Sequence, residues 1–410
     1  MNISSKYTKF AGMVIAAVFC LVPVSSSAEE TRPKEWGFSL SGGFNHLFKS
    51  FDTADDLFAG STNYPVADLQ IMHFTTPENS DKFAEAYNYP TFGLGATWSG
   101  LNTLSYKEGS YLNNMVSLYG FVERDFYHNP QFSVGYDFRF GLGFTTSKYD
   151  PLTNPANTAI GSSVTFCIGA GVYLKWRPAP QLEIALRGAA RHHSASRLCF
   201  PNFGLNEVGA EASVRYYLSE PYKKQTTHSM KKEFTRKMNY SIVVGGGIHH
   251  CNTEWEAYHD AEPDPAKKAT SVQGWPKFFA NFSATYRYAL KFSSGVGVDA
   301  FLTTQEYMDS MRECDKILNP DRLEGAEYSP FSLGLSLVQN FHFRNFTIVG
   351  GVGVYLFKQY GVNEQLSRFY QRIGFRYDFK NLGGTFIQGT CKSHYFTRAE
   401  MLEIGFGVNI

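Results

Sequence analysis

The chain has 410 residues, a formal net charge of +1 and a mean hydropathy of −0.26, with 16% aromatic residues and 37 glycines. A near-neutral balance removes the electrostatic case for a nucleic-acid partner. Many aromatics and glycines at low mean hydropathy argue against a soluble core of this size and for a membrane β-barrel, which needs apolar residues only at alternate positions.

The chain opens on what reads as a leader. Lys6 and Lys9 make a positive start, Phe10 to Val24 is a short apolar core, and Ser26-Ser27-Ala28 is a small-residue cleavage site. That pattern predicts a secretory signal peptide over residues 1–28. After it, no apolar run reaches the ~18 residues of a spanning helix. The cysteines beyond the leader, Cys167, Cys199, Cys251, Cys314 and Cys391, form no CxxC and no zinc-type spacing with histidine. No metal and no cofactor are expected.

Sixteen segments then read as strands. In the first half they are 36–45, 67–75, 89–98, 113–123, 130–143, 163–176, 181–194 and 206–218. In the second half they are 239–250, 272–287, 291–303, 329–342, 346–358, 367–379, 382–394 and 399–410. Most approach the ~9–11 residues of a tilted strand crossing a bilayer. In 163–176, Val164, Phe166, Ile168, Ala170, Val172, Leu174 and Trp176 share one face, opposite Thr165, Cys167, Gly169, Gly171, Tyr173 and Lys175. In 399–410, Leu402, Ile404, Phe406 and Val408 oppose Glu403, Gly405, Gly407 and Asn409. Such a dyad repeat is what an apolar exterior around a polar lumen requires.

The connections alternate in length. Short turns such as His128-Asn129-Pro130 and Arg344-Asn345 face the long connections 46–66, 144–162, 251–271 and 304–328. Short periplasmic turns and long outer loops are the outer-membrane barrel pattern. Two connections depart from it: 76–88 is long for a periplasmic turn, and 395–398 is short for an outer loop. The polar, basic segment 219–238 reads as a periplasmic linker between a first half, 29–218, and a second, 239–410. The expected fold is all-β, a transmembrane antiparallel outer-membrane barrel. One continuous sixteen-stranded barrel is favoured over two tandem eight-stranded ones.

The segment 181–194 concentrates chemistry. A period of two puts Leu182, Ile184, Leu186, Gly188, Ala190, His192 and Ser194 on one face, and Glu183, Arg187, Arg191 and His193 on the other. The apolar face is the lipid side, so His192 and Ser194 point outward at the top of an upward strand. An imidazole two residues from a hydroxyl on one strand face suits a general base and a nucleophile. The bland alternative is an amphipathic His at head-group level and a Ser that merely begins a loop. A third residue should orient the base. Asn206 shares the outward face of Val208 and Ala210. Glu207 is chemically the stronger orienter but has lumenal parity, and is held in reserve against a register slip. His193, Arg191 and Arg187 read as lumenal polar packing against Glu183, Glu207 and Glu211. In the loop, Arg197 could meet a lipid phosphate or simply be solvated.

At these residues the chain resembles the PagL-type lipid A 3-O-deacylases, or acyloxyacyl hydrolases, in a longer two-part form found in Bacteroidetes. The resemblance is carried by Asn88-Tyr89-Pro90 with Gly93 and Gly95, by Asn154 to Ser162, by His192-His193-Ser194 and by Pro201 to Asn206; a looser likeness covers 329–410. It implies an outer-membrane serine esterase acting on lipid A from the barrel exterior, with His192 and Ser194 as its catalytic pair. It also implies Asn206 at the position where the best-known members carry Glu. Where the family has Asn and Gly around the oxyanion, this chain has Ala195 and Arg197. The expected partner is lipid A, as lipopolysaccharide in the outer leaflet, and the expected location is the bacterial outer membrane. The alternative is a non-catalytic barrel, porin-like or structural, without the oxyanion residues.

Overall fold

In the computed structural model, the described residues are 35–48, 57–76, 82–196, 198–221, 234–250, 252–269, 271–362, 367–396 and 398–410. The leader, most of the linker and Arg197 lie outside them. The strands of the first half are β1 (Trp36–Phe48), β2 (Asn63–Phe74), β3 (Thr91–Ser99), β4 (Met115–His128), β5 (Phe132–Phe144), β6 (Val164–Ala179), β7 (Leu182–Ser194) and β8 (Leu205–Tyr217). Those of the second are β9 (Lys237–His249), β10 (Trp275–Arg287), β11 (Phe292–Thr303), β12 (Phe331–Phe343), β13 (Phe346–Phe357), β14 (Phe369–Asp378), β15 (Thr385–His394) and β16 (Arg398–Asn409). Each matches one of the sixteen alternating segments within a few residues.

The expectation of one sixteen-stranded barrel is overturned. β1 pairs with β8, from Gly37↔Tyr217 to Phe48↔Asn206, and β9 pairs with β16. The result is two closed, eight-stranded antiparallel barrels, and the chain divides into two compact units built on them. Alternation assigns each strand's faces but does not say which strand closes on which. Closure follows from lumen filling, because eight strands leave an interior just wide enough for side chains to fill.

Both lumens are filled. In the first barrel Arg187 pairs with Asp137 through two 2.7 Å bonds, and Arg215 grips Glu123 at 2.7 and 2.8 Å. Lys175 shares Glu123 at 2.8 Å, and Tyr173 donates to Asp125 at 2.7 Å. A Cβ at Gly93 would stand 2.6 Å from the Phe121 ring, so this wall position is open only to glycine. In the second barrel Arg372 bridges Asp299 (2.8 Å) and Glu403 (2.7 Å), and Lys277 and Lys392 both bond Glu400. Phe279, Phe301, Tyr355, Tyr370 and Phe386 pack around these charges. Outward rows are apolar and exposed, with Leu40, Leu118, Val172 and Leu186 on the first barrel and Phe278, Val296, Leu337 and Ile373 on the second.

The long connections cluster at one end of each barrel. At the first, Leu57, Phe58, Leu101, Leu104, Leu112, Ala159 and Ile160 pack with Leu47, Met115 and Leu205 into a loop core. At the other end, the 76–88 connection carries a short helix α1 (Lys82–Ala86), and Asn88 and Tyr89 follow it in the left-handed region. Asn88 Nδ2 donates to Asp125 O at 3.0 Å, tying this turn to β4. In the second barrel, α2 (Asn252–Trp255) and α3 (Gln305–Leu318) lie in connections expected as plain loops. The Thr304 side chain caps α3 by accepting from Tyr307 N, and Tyr307, Met308 and Met311 pack with Trp275 and Tyr360. Among the described residues, no helix is long and apolar enough to cross a membrane.

Candidate active site on the barrel exterior

β7 alternates along its length, with Glu183, Arg187, Arg191 and His193 buried and Ile184, Leu186 and Ala190 exposed. His192 and Ser194 fall on the exposed parity, each partly covered. The ladder sets Ile168 of β6 opposite His192 and Phe166 opposite Ser194. On the other side, His192 is paired directly with Asn206 of β8. Directly opposed residues have side chains within reach, and His192 Nδ1 lies 2.8 Å from Asn206 Oδ1. With the Asn206 oxygen as acceptor, Nδ1 carries the proton and Nε2 is left as the basic nitrogen.

Glu207, the reserve orienter, does not reach His192. Its parity sends it into the lumen, where Oε1 lies 3.0 Å from His193 Nδ1 and Oε2 accepts from Asn45 Nδ2 at 2.9 Å. His193 Nε2 in turn lies 2.9 Å from Ser117 Oγ. The adjacent histidines therefore belong to two separate networks, one on each side of the wall. Arg191 and Arg187 meet Glu211 as expected, whereas Glu183 pairs with Arg177 (3.0 Å) instead.

The loop after Ser194 is organised by a residue that spacing did not single out. Asn202 Oδ1 accepts from Ala195 N at 2.8 Å, and its Nδ2 donates to Ser196 O. Ser196 is left-handed (φ 55°), and Leu198 N donates to Ala195 O at 3.2 Å. Ala195 is buried and its amide is engaged by Asn202 within this turn. Gly204 lies against His192. Its φ is +79°, and a Cβ there would stand 2.7 Å from His192 Cε1. The loop is braced from outside β7 and β8, since Phe203 N donates to Thr158 O (3.2 Å) and Gly204 N to Ala159 O (3.0 Å). The two sequence stretches Asn154–Ser162 and Pro201–Asn206 are thus joined as a single support beside His192. Asn154 anchors that support, bonding Lys148 O at 3.0 Å and Tyr111 O at 3.1 Å through Nδ2. Position dependence after a loop hides Asn202 and Gly204 from a period-two count, although Pro, Asn and Gly clustered at 201–204 are a loop signal.

Charged inside and apolar outside, the two closed sheets have the inside-out pattern of membrane β-barrels. The lipid A 3-O-deacylase (PagL) family model matches residues 72–215, and the model of the acyloxyacyl hydrolase C-terminal domain matches 212–410. The chain belongs to the PagL lipid A 3-O-deacylase family, in its two-part form. Comparison with curated proteins finds no match. Among solved structures, a de novo designed transmembrane β-barrel is 14% identical, covering 46% of this chain and 99% of its own, with a TM-score of 0.23. A mutant porin of Rh. blastica is 9% identical, covering 92% and 99%, with a TM-score of 0.16. At such scores neither adds to the fold, which rests on the strand pairing itself.

Proposed function

We propose that the chain is an outer-membrane serine esterase that removes an ester-linked acyl chain from lipid A, the 3-O-acyl chain in the family's reaction. The observation that carries this reading is the His192–Asn206 pair on the outward face, with Ser194 two residues along the same face. His192 Nε2 takes the Ser194 proton as Oγ attacks the ester carbonyl, forming a tetrahedral intermediate. The proton passes to the sugar oxygen as it leaves, and water then releases the fatty acid from Ser194 by the same steps. Asn206 holds the ring in the working tautomer. Ala195 and Arg197 stand at the sequence positions where the family supplies its oxyanion donors; one such donor is worth ~3 kcal/mol. An ester at the boundary of head group and acyl chain would meet this face without leaving the membrane, its chain lying along Phe166 and Ile168. In this reading 29–218 is the catalytic barrel, 219–238 a basic periplasmic linker and 239–410 a second barrel.

The rival reading, a porin-like channel, is disfavoured by lumens packed with paired charges and aromatic rings. Purified protein incubated with lipopolysaccharide tests the esterase directly. Release of free fatty acid, and labelling of wild type but not Ser194→Ala by a fluorophosphonate, are the expected results. Absence of both would remove the enzymatic reading.

A further inference from the structure

Only residues 395–397 join the paired His394 and Arg398 at the β15–β16 tip. Tyr395 and Phe396 are consecutive left-handed residues there, with φ of 54° and 61°. Left-handed positions fall mostly to Gly and Asn, because a bulky side chain clashes with its own backbone in that region. The conformation is nevertheless well held. Phe396 N donates to Gln371 Oε1 at 2.9 Å, and beneath the tip the buried His394 is fixed between Glu400 (2.8 Å) and Phe369 O (2.9 Å).

The rings gain no burial from this arrangement. Phe396 is 77% exposed and Tyr395 57%, and Phe369, on the neighbouring strand, is 63% exposed. Arg398 is exposed and its guanidinium lies 5.9 Å from the centre of the Tyr395 ring. The patch continues the apolar outward rows formed by Ile373 on β14 and Phe406 on β16. Rings of this kind beside an arginine are the set that settles where acyl chains meet phosphate-bearing head groups. An arginine there presents a fork that matches phosphate oxygens.

We infer that the Tyr395-Phe396-Arg398 tip is a membrane-surface anchor, through which the second barrel grips phosphorylated lipid head groups. The external contact offsets the strained turn and gives the second barrel a role: it fixes that barrel at the membrane surface. This inference rests on the membrane placement proposed above.

The test folds the full chain into vesicles of phosphatidylcholine alone, with phosphatidylglycerol, or with lipopolysaccharide. The temperature at which the heat-resistant gel band is lost is then compared for wild type, Tyr395→Asn/Phe396→Gly and Arg398→Gln. Asn and Gly tolerate the left-handed region better than Tyr and Phe, so the double variant should fold at least as readily as wild type in phosphatidylcholine. Anionic vesicles should raise the wild-type midpoint above its value in phosphatidylcholine. The double variant should lose most of that rise and Arg398→Gln part of it. A rise with lipopolysaccharide alone assigns the tip to the glycolipid, and a rise with both lipids to any anionic head group; either supports the anchor. If the double variant does not fold, Arg398→Gln decides. Equal rises in wild type and variants would overturn the anchor while leaving the membrane reading intact. Failure of the wild type to fold into any vesicle would overturn both.

Discussion

His192 Nδ1 and Asn206 Oδ1 stand 2.8 Å apart at directly paired positions of β7 and β8. A neutral amide in this place orients the imidazole without supplying a charge. Asn206→Leu should therefore lower kcat on lipopolysaccharide with little change in KM. Its loss should be smaller than the ~10²–10⁴-fold expected for His192→Ala, which removes the base itself. Steady-state kinetics of fatty-acid release on the two variants check the order.

Glu207 tests the side of the wall on which the chemistry lies. It bonds His193 and Asn45 inside the lumen. Glu207→Gln weakens buried bonds there, and should cost ~1–3 kcal/mol of stability while leaving turnover per folded molecule unchanged. Thermal unfolding paired with activity titrated against folded protein separates the two effects. A collapse of turnover in fully folded protein would point to a lumenal contribution.

The loop should respond in a graded way. Asn202→Asp keeps an acceptor for Ala195 N but loses donation to Ser196 O; Asn202→Ala loses both. The expected order of kcat is wild type, Asn202→Asp, Asn202→Ala. Gly204→Ala should be worse than its size suggests. It places a side chain at φ +79° and drives a Cβ to within 2.7 Å of the His192 ring, so activity should fall even where the barrel still forms.

The packed lumens make a prediction of their own. Neither barrel should pass porin-scale current in a planar bilayer. Glu123 holds Arg215 and Lys175 together inside the first barrel. Glu123→Gln leaves those cations without their carboxylate, and should cost ~3–5 kcal/mol, read as a lower unfolding midpoint. Steady conductance in the wild type would contradict the filled-lumen account.

Period-two alternation made the strands and the outward parity of His192, Ser194 and Asn206 legible, because each depends only on near neighbours in sequence. It also sent Glu207 inward, as the structure has it. Closure was not legible: β8 returning to β1 is a contact between Gly37 and Tyr217, far apart in sequence, and eight or sixteen strands leave the same local pattern. The helix α3 was missed, although Thr304 as cap and the spacing of Tyr307, Met308, Met311 and Cys314 carry a helical signal in an otherwise polar stretch. Asn202 and Gly204 lie in a stretch that the resemblance marks, but their roles were not legible because loop roles follow from backbone conformation, here the left-handed Ser196 and Gly204, which alternation does not encode.

The central claim is that Ser194 and His192 cut an ester of lipid A. Mass spectrometry of lipid A from cells expressing wild type, Ser194→Ala or His192→Ala tests it most directly. The account predicts loss of one ester-linked acyl chain with wild type and intact lipid A with either variant, all three proteins being present in equal amounts in the outer membrane. Intact lipid A with wild type, or the same shortened species with Ser194→Ala, would contradict it.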